Sequence, residues 1–379
     1  MMGNDVIVIG GNHHNTLGVI RSLGERGLKP KVIIQTEEKK PYISLSRYIS
    51  YCRLAKTDQD VLEILRSEGL INKKKEVLIA CSDGLSSLVD LNRNELLQWY
   101  SLPGAEESGK ISRLMNKETM SQLAKEVGLL VPKSMAVDTS SQELINIPQP
   151  WIIKPLVSKN GQKADIERVY NLNEWADYCI RHNAKVQVQQ LIDKDYEYQL
   201  IGLSLKGGEE VIIPGLSYVI RPAANTNTGF LHYQPLDESY KDVLKKGELF
   251  LKAAGYSGLF SLEFLRGKDG KDYFMEINFR NDGNAICVTA SGFNLPYIWY
   301  LYNTGRDYRK EIENSYIKPV YVMPEFSDIS LIVHKKLNLF TWLKDIHRTD
   351  CFMEYDKHDK APFVQLLKDS IKRGLKKLK

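Results

Sequence analysis

Apolar residues gather first into short unbroken runs. Val6-Ile7-Val8-Ile9, Val32-Ile33-Ile34 and Val77-Leu78-Ile79-Ala80 lack the alternation of a half-wet strand, and such runs suit strands covered on both faces. Between the first two, apolar positions recur at helical spacing as far as Arg26, and Gly27 and Pro30 close that helix. Strands alternating with helices predict a parallel sheet whose ligand loops lie at the strand carboxyl ends. The loop Gly10-Gly11-Asn12-His13-His14-Asn15 lacks Gly-x-Gly-x-x-Gly spacing, so dinucleotide binding is not read from it. Its amides at a helix start can hold a carboxylate or phosphate. Asn15 here and Asp83 after the third run, with His13 and His14, are candidate substrate contacts; turn and cap chemistry explains the same residues.

The pattern then changes. Asn116-Lys117-Glu118 opens a helix through Val127, closed by Gly128, and Ser134 to Pro150 is polar and turn-rich. Trp151-Ile152-Ile153-Lys154-Pro155 is a strand ending in a lysine, followed by the polar loop Ser158-Lys159-Asn160-Gly161-Gln162-Lys163. A lysine beside such a loop suits a polyphosphate, though strand-end lysines are also commonly just solvated. Val186 to Ile192 and Asp195 to Leu200 are further strands.

Two more runs, Ser261-Leu262-Glu263-Phe264 and Phe274-Met275-Glu276-Ile277-Asn278-Phe279-Arg280, flank Asp269-Gly270, a two-residue turn signal. Counting outward from that turn pairs Lys268 with Lys271 and sets Glu263 opposite Glu276. Alternation puts Glu276, Asn278 and Arg280 on one face, with Met275, Ile277 and Phe279 on the other. Like charges directly opposite destabilise a sheet, and a hard cation between them removes the objection. The alternative is an exposed hairpin with a polar wet face.

Composition narrows the class. With 379 residues, 43% hydrophobic and 26% charged, the chain is expected to be globular, with two or three domains. No apolar run is long enough to cross a bilayer, and the start lacks a basic signal region. Five scattered cysteines without a Cys-x-x-Cys pair argue against a disulfide framework or structural zinc, and fit a cytoplasmic protein. The net charge of +5 belongs to the tail, where Phe363 to Lys379 holds six basic residues and one acid. The balanced remainder argues against a nucleic-acid partner. In the tail, Phe363, Leu367, Ile371, Leu375 and Leu378 recur at helical spacing beside a lysine-rich face. Such a helix either docks on its own domain or makes a peripheral membrane contact.

Two lysines, a strand ending in Gln-Gln-Leu-Ile, an acid soon after, and the hairpin Glu-x-Asn-x-Arg occur in an order that resembles the ATP-grasp superfamily, over roughly Met1 to Tyr302. The resemblance implies an N-terminal α/β parallel-sheet domain followed by a two-lobed α+β ATP-grasp fold. The implied division is 1–112, 113–192 with a lid at about 150–190, 193–310, and an extension over 311–379 with a basic amphipathic helix. It implies ATP, with Mg²⁺ or Mn²⁺, as cofactors. On this resemblance Lys117 and Lys154 contact phosphates, with Ser158 and Gly161 in the lid loop. Gln190, Leu191 and Ile192 form the adenine hinge, and Glu197 holds the ribose. Glu263, Glu276 and Asn278 hold the metal, and Arg280, with Lys154, offsets the transferring charge. The lid loop is poorer in glycine than usual, and Gln190 replaces the usual hinge acid.

The opening segment and Glu-Ile-Asn-Phe-Arg look more like the D-aspartate ligase-like, carboxylate–amine ligase branch than like biotin carboxylase. That branch implies small-molecule partners, a carboxylate activated as an acyl phosphate and an amine that displaces phosphate. A small-molecule kinase and a nucleotide-binding scaffold docked on a membrane by the tail are the alternatives. Arg221, in a polar loop before the hairpin, can clamp a carboxylate, and Asn284, just after Arg280, can contact the acceptor; turn chemistry accounts for both segments equally. Monomer and homodimer both stay open.

Overall fold

The three apolar runs at the start form the centre of a five-stranded parallel sheet. In a computed structural model, which describes residues 5–72, 74–141, 145–155, 166–222 and 228–377, its order is Tyr51–Ala55, Lys31–Gln35, Val6–Gly11, Glu76–Ala80, Tyr100–Ser101. Helices His14–Gly24 and Asp83–Leu91 start directly after the first and fourth strands in chain order, so both helix N-termini stand at the same carboxyl edge. His13 and Ser82 cap them, each side chain accepting a backbone N–H of the first turn.

A four-stranded antiparallel sheet follows, in the order Ser134–Asp138, Lys185–Gln190, Trp151–Pro155, Glu167–Val169. One face packs Trp151, Ile153, Val186 and Val188 against Tyr178 of helix Leu172–Arg181. The alternate residues Ile152, Lys154, Gln187 and Gln189 face the other way, as a period of two requires.

The largest sheet has eight strands. Its main path runs Asp272–Asn278, Gly258–Gly267, Lys194–Leu205, Gly215–Pro222, Gly229–Pro235, Val320–Met323, Cys351–Phe352. Residues beyond 311 thus complete this sheet and add helices Glu325–Val333, Leu339–Arg348 and Lys360–Lys377. One continuous core joins Val6, Val8 and Ile79 of the parallel sheet to Leu203, Leu231 and Val322 of the large one. Helix Leu295–Asn303 is part of that junction, with Trp299 and Tyr300 at 2% and 0% exposure, as a core role for that helix requires. Trp299 donates its indole N–H to the Leu78 carbonyl at 3.2 Å, satisfying the polar edge that burial would otherwise strand.

The last helix departs from the stripe read in the sequence. Phe363 packs on Phe326 and Tyr355, and Leu366 joins the main core, whereas Leu367 and Ile371 point outward. The buried face follows Phe363 and Leu366 because the preceding turn ties this helix down: Asp359 accepts from buried Arg21 at 3.1 Å and from Ser46 at 2.8 Å. Leu375 and Leu378 lie outside the described side chains.

Candidate functional site

The hairpin sets Glu263 opposite Glu276, but by a different route from the one its sequence suggests. Gly267 N–H donates to the Lys271 carbonyl and Gly270 N–H to the Gly267 carbonyl, both at 2.9 Å. The loop therefore has three residues, Lys268-Asp269-Gly270, with Gly270 at φ +76° in the left-handed region that glycine tolerates. This pairs Gly267 with Lys271 in place of Lys268 with Lys271, a slip of one residue. A β-bulge at Met275 then restores the count, since Phe264 pairs with Phe274 while Glu263 pairs with Glu276. The same bulge corrects the assignment of Met275. It lies on the cavity side with Glu276, 37% exposed, while Phe274, Ile277 and Phe279 are buried in the core.

Glu263 is 8% exposed and its Oε1 accepts from Gln199 at 3.0 Å and from the Asn278 amide at 3.1 Å. Asn278 Oδ1 in turn accepts from Arg280 at 3.0 Å. Arg280 reaches back to the parallel-sheet domain, where its Nε donates to Asp83 at 2.8 Å. A chain of charge-assisted bonds thus runs from the first helix turn after Ser82 to the hairpin.

Two cavities meet at these carboxylates. The first, of about 500 Å³, is lined by Lys117, Lys154, Arg168, Gln187, Glu197 and Met275 among others. Lys117 is the first residue of helix Lys117–Glu126, whose cap is Asn116, so a lysine and a helix N-terminus stand together there. Lys154 Nζ donates to Gln189 at 2.6 Å. Burial, then the nearby Lys117 charge, lower its pKa to about 8, with Glu276 opposing. Arg168 was not singled out in the sequence, although it pairs in register with Ile152, two residues from Lys154, on the neighbouring strand. Gln199, directly opposite Glu263 across the sheet, was likewise missed because glutamine in a strand carries no distinctive pattern.

The second cavity, of about 480 Å³, is lined by His13, Asn15, Ser82 and Asp83 from the parallel-sheet domain and by Thr228, Asn278, Arg280 and Asp282 from the large-sheet part. Gln199, Glu263 and Glu276 line both cavities. The structure therefore brings together Lys117, Lys154, Glu197, Glu263, Glu276, Asn278, Arg280, Asn15 and Asp83. Glu197 is half-exposed and accepts from Lys194 at 2.9 Å. Asn15 exchanges amide bonds with Asn281, donating at 2.9 Å and accepting at 2.6 Å, and so ties the two parts across the cleft.

Other candidates lie elsewhere. Arg221 is not a free carboxylate clamp: its guanidinium bridges Asp328 and Asp345, two buried acids of the C-terminal helices. Asn284 is fully buried and donates to Gln199 at 2.7 Å, so it stands behind the site. Gln190, Leu191 and Ile192 line neither cavity, and the amides of Gln190 and Leu191 already donate to the Lys133 and Pro150 carbonyls. These two N–H groups are thereby used at the edge of the small sheet. Ser158 and Gly161 lie outside the described residues.

The donor set suits a hard cation. Among the described residues no three His, Cys, Asp or Glu side chains converge as ligands. Two facing carboxylates beside a lysine-lined cavity fit an ion such as Mg²⁺, which fills its remaining positions from phosphate and water.

No protein-family profile matches the chain. A D-aspartate ligase from Enterococcus faecium (strain Aus0004) is 22% identical over 260 residues, 62% of this chain and 61% of that protein. The matched region thus spans about three fifths of the curated relative's length. The fold is similar to an L-amino acid ligase from Bacillus licheniformis, with TM-score 0.62, 18% identity, and 84% and 79% of the two chains covered. An N5-carboxyaminoimidazole synthetase from Staphylococcus aureus, solved with ADP, gives TM-score 0.61 and 13% identity over 80% and 78%. A biotin carboxylase–ATP analogue complex from Campylobacter jejuni gives 0.60 and 16% over 79% and 71%. The chain shares the ATP-grasp fold of these structures and is similar in sequence to a D-aspartate ligase.

Proposed function

We propose that this protein is an ATP- and Mg²⁺-dependent ligase that joins a carboxylate to an amine and releases ADP and phosphate. The observation that carries the reading is the junction: Glu263 and Glu276 border both the lysine-lined cavity and the cleft facing the parallel-sheet domain. A phosphoryl group held at that boundary is within reach of a second substrate without leaving the site. The names of the D-aspartate ligase and L-amino acid ligase support an amino-acid-like substrate.

In this reading Lys117 and Lys154 hold the polyphosphate in the first cavity. A carboxylate oxygen attacks the γ-phosphorus, ADP departs, and the amine nitrogen then attacks the acyl carbon, displacing phosphate and losing a proton. Arg280 faces the cleft in which negative charge develops on the acyl oxygen as the amine adds and then passes to the departing phosphate. Glu263 and Glu276 would hold Mg²⁺, which would supply neutralisation of phosphate charge. Asn278 Oδ1 accepts from Arg280 and keeps a second lone pair with which it would ligate the metal.

ADP release across a panel of carboxylate and amine pairs, with mass spectrometry of the product, tests the reading. Hydroxylamine traps an acyl phosphate and not an ordinary phosphate ester, so ADP formation without a trapped hydroxamate would point to a kinase.

Lys154 supplies a pH test. Its pKa near 8 lies below the ordinary 10.5, so the free site loses this positive charge as pH rises through 8. The Kd for Mg-ATP is expected to weaken by roughly tenfold per pH unit above 8 at the limit, because binding phosphate takes up a proton. Lys154→Arg, charged throughout, should flatten the profile; a flat profile in the unmodified protein would remove Lys154 from phosphate binding. The linkage to folding has the opposite sense. Between about 8 and 10.5 the unfolded chain holds more protons at this position, so Lys154 adds stability as pH rises.

A further inference from the structure

Helices Glu325–Val333 and Leu339–Arg348 form a surface whose charges have been sorted. The segment has three acids, and all are buried: Glu325, Asp328 and Asp345 at 6%, 1% and 4% exposure. Asp328 and Asp345 turn inward to Arg221, and Glu325 accepts from the Glu354 and Tyr355 backbone N–H groups. The basic residues Lys335, Lys336 and Lys344 stay outside, with His334 and His347. Large apolar side chains stand exposed beside them: Val333 at 72%, Phe340 at 81%, and Leu339 and Leu343 near 50%. Leu339 and Leu343 are one helical turn apart, as are Phe340 and Leu343, so they share a side of their helix.

We propose that this helix pair docks on an anionic membrane surface, with Val333, Leu339, Phe340 and Leu343 in the headgroup boundary and the lysines on lipid phosphates. Charge complementarity selects this occupant. Exposed charge on the segment is basic while its apolar residues are unpartnered, the combination that an interfacial helix needs. A second copy of the chain is disfavoured, because a two-fold contact of this face with itself would gather the lysines of both copies with no exposed acid of the segment to pair them. A polyanion such as nucleic acid would satisfy the lysines but leave Val333 and Phe340 unrewarded. Among the described residues no helix is long and apolar enough to cross a bilayer, so the contact lies on the surface. The inference does not depend on the ligase chemistry.

Sedimentation of the full chain with vesicles tests it. The protein should pellet with phosphatidylcholine–phosphatidylglycerol vesicles and not with phosphatidylcholine alone, and high salt should release it. Phe340→Glu combined with Leu343→Glu should lower the partition coefficient by about tenfold or more. Both sites are exposed, so an unchanged melting curve is expected and certifies the fold. Ile371→Glu in the terminal helix should retain most of the binding. The proposal is overturned if the unmodified protein stays in the supernatant, if the double variant binds as before, or if Ile371→Glu alone abolishes binding. A dimer that the double variant dissociates, without vesicle binding, would assign the face to a second copy instead.

Discussion

Glu276→Ala is expected to lower ADP formation by about a thousandfold while the ligand-free protein melts at the same temperature or slightly higher. The two halves of this result have one cause. Glu276 faces Glu263 across the hairpin, and like charges in register repel, so removing one relieves the sheet. That relief removes half of the carboxylate pair that the proposed reaction needs. Stabilisation of the melting curve by Mg-ATP should fall with it, since a ligand stabilises only as far as it binds. Glu263→Ala provides the contrast. Glu263 is buried and accepts from Gln199 and Asn278, so its loss takes a partner from the buried Gln199 amide and one of several from Asn278, and should cost stability as well as turnover. Retained ADP formation in Glu276→Ala would take the hairpin out of the chemistry.

Arg221→Ala should destabilise the fold by about 3–5 kcal/mol, read as a lower denaturant midpoint. Its guanidinium is 16% exposed, and the carboxylates of Asp328 and Asp345 are 2% and 6% exposed. Burial already raises the Asp328 pKa, with Arg221 opposing it. Taking the cation away strands Asp328 and leaves Asp345 with Arg348 alone, the costly way to break a buried ion pair. Arg221→Lys should recover only part of the loss, because one ammonium does not reproduce the fork between two carboxylates. Asp328→Asn in the Arg221→Ala background should recover stability by removing one stranded charge. A substrate clamp would behave differently: Arg221→Ala would raise KM and leave the denaturant midpoint in place.

The hairpin shows how local sequence logic reaches a correct pairing through incorrect steps. The Asp-Gly signal marks the turn, but Gly267 is itself a glycine, and the chain closes a three-residue loop with Gly270 in the left-handed region. The resulting slip would have put Glu263 opposite Met275. The bulge at Met275 returns Glu276 to its partner, and it keeps Phe274 and Ile277 both in the core. Burial of those two residues, with Met275 and Glu276 left on the cavity side, is a tertiary demand that the two-residue period of a strand does not contain. The sequence located the hairpin, and packing set its register.

What the sequence determined by itself follows from local rules. Unbroken apolar runs mark the covered parallel strands, the cap at Asn116 starts the helix that carries Lys117, and a strand ends at Lys154. Glu263, Glu276, Asn278 and Arg280 stand together because neighbouring strands of one hairpin cannot lie far apart. The tertiary structure alone decided contacts between residues remote along the chain. Asn15 meets Asn281 at a separation of 266 residues, Arg280 meets Asp83 at 197, and Arg221 meets Asp328 and Asp345 at 107 and 124. An arginine in a polar loop has the same local pattern whether it binds a substrate or closes a buried ion pair. Only the packing of the C-terminal helices, which turn their acids inward, assigns Arg221 to the fold and leaves a basic, apolar face on the outside.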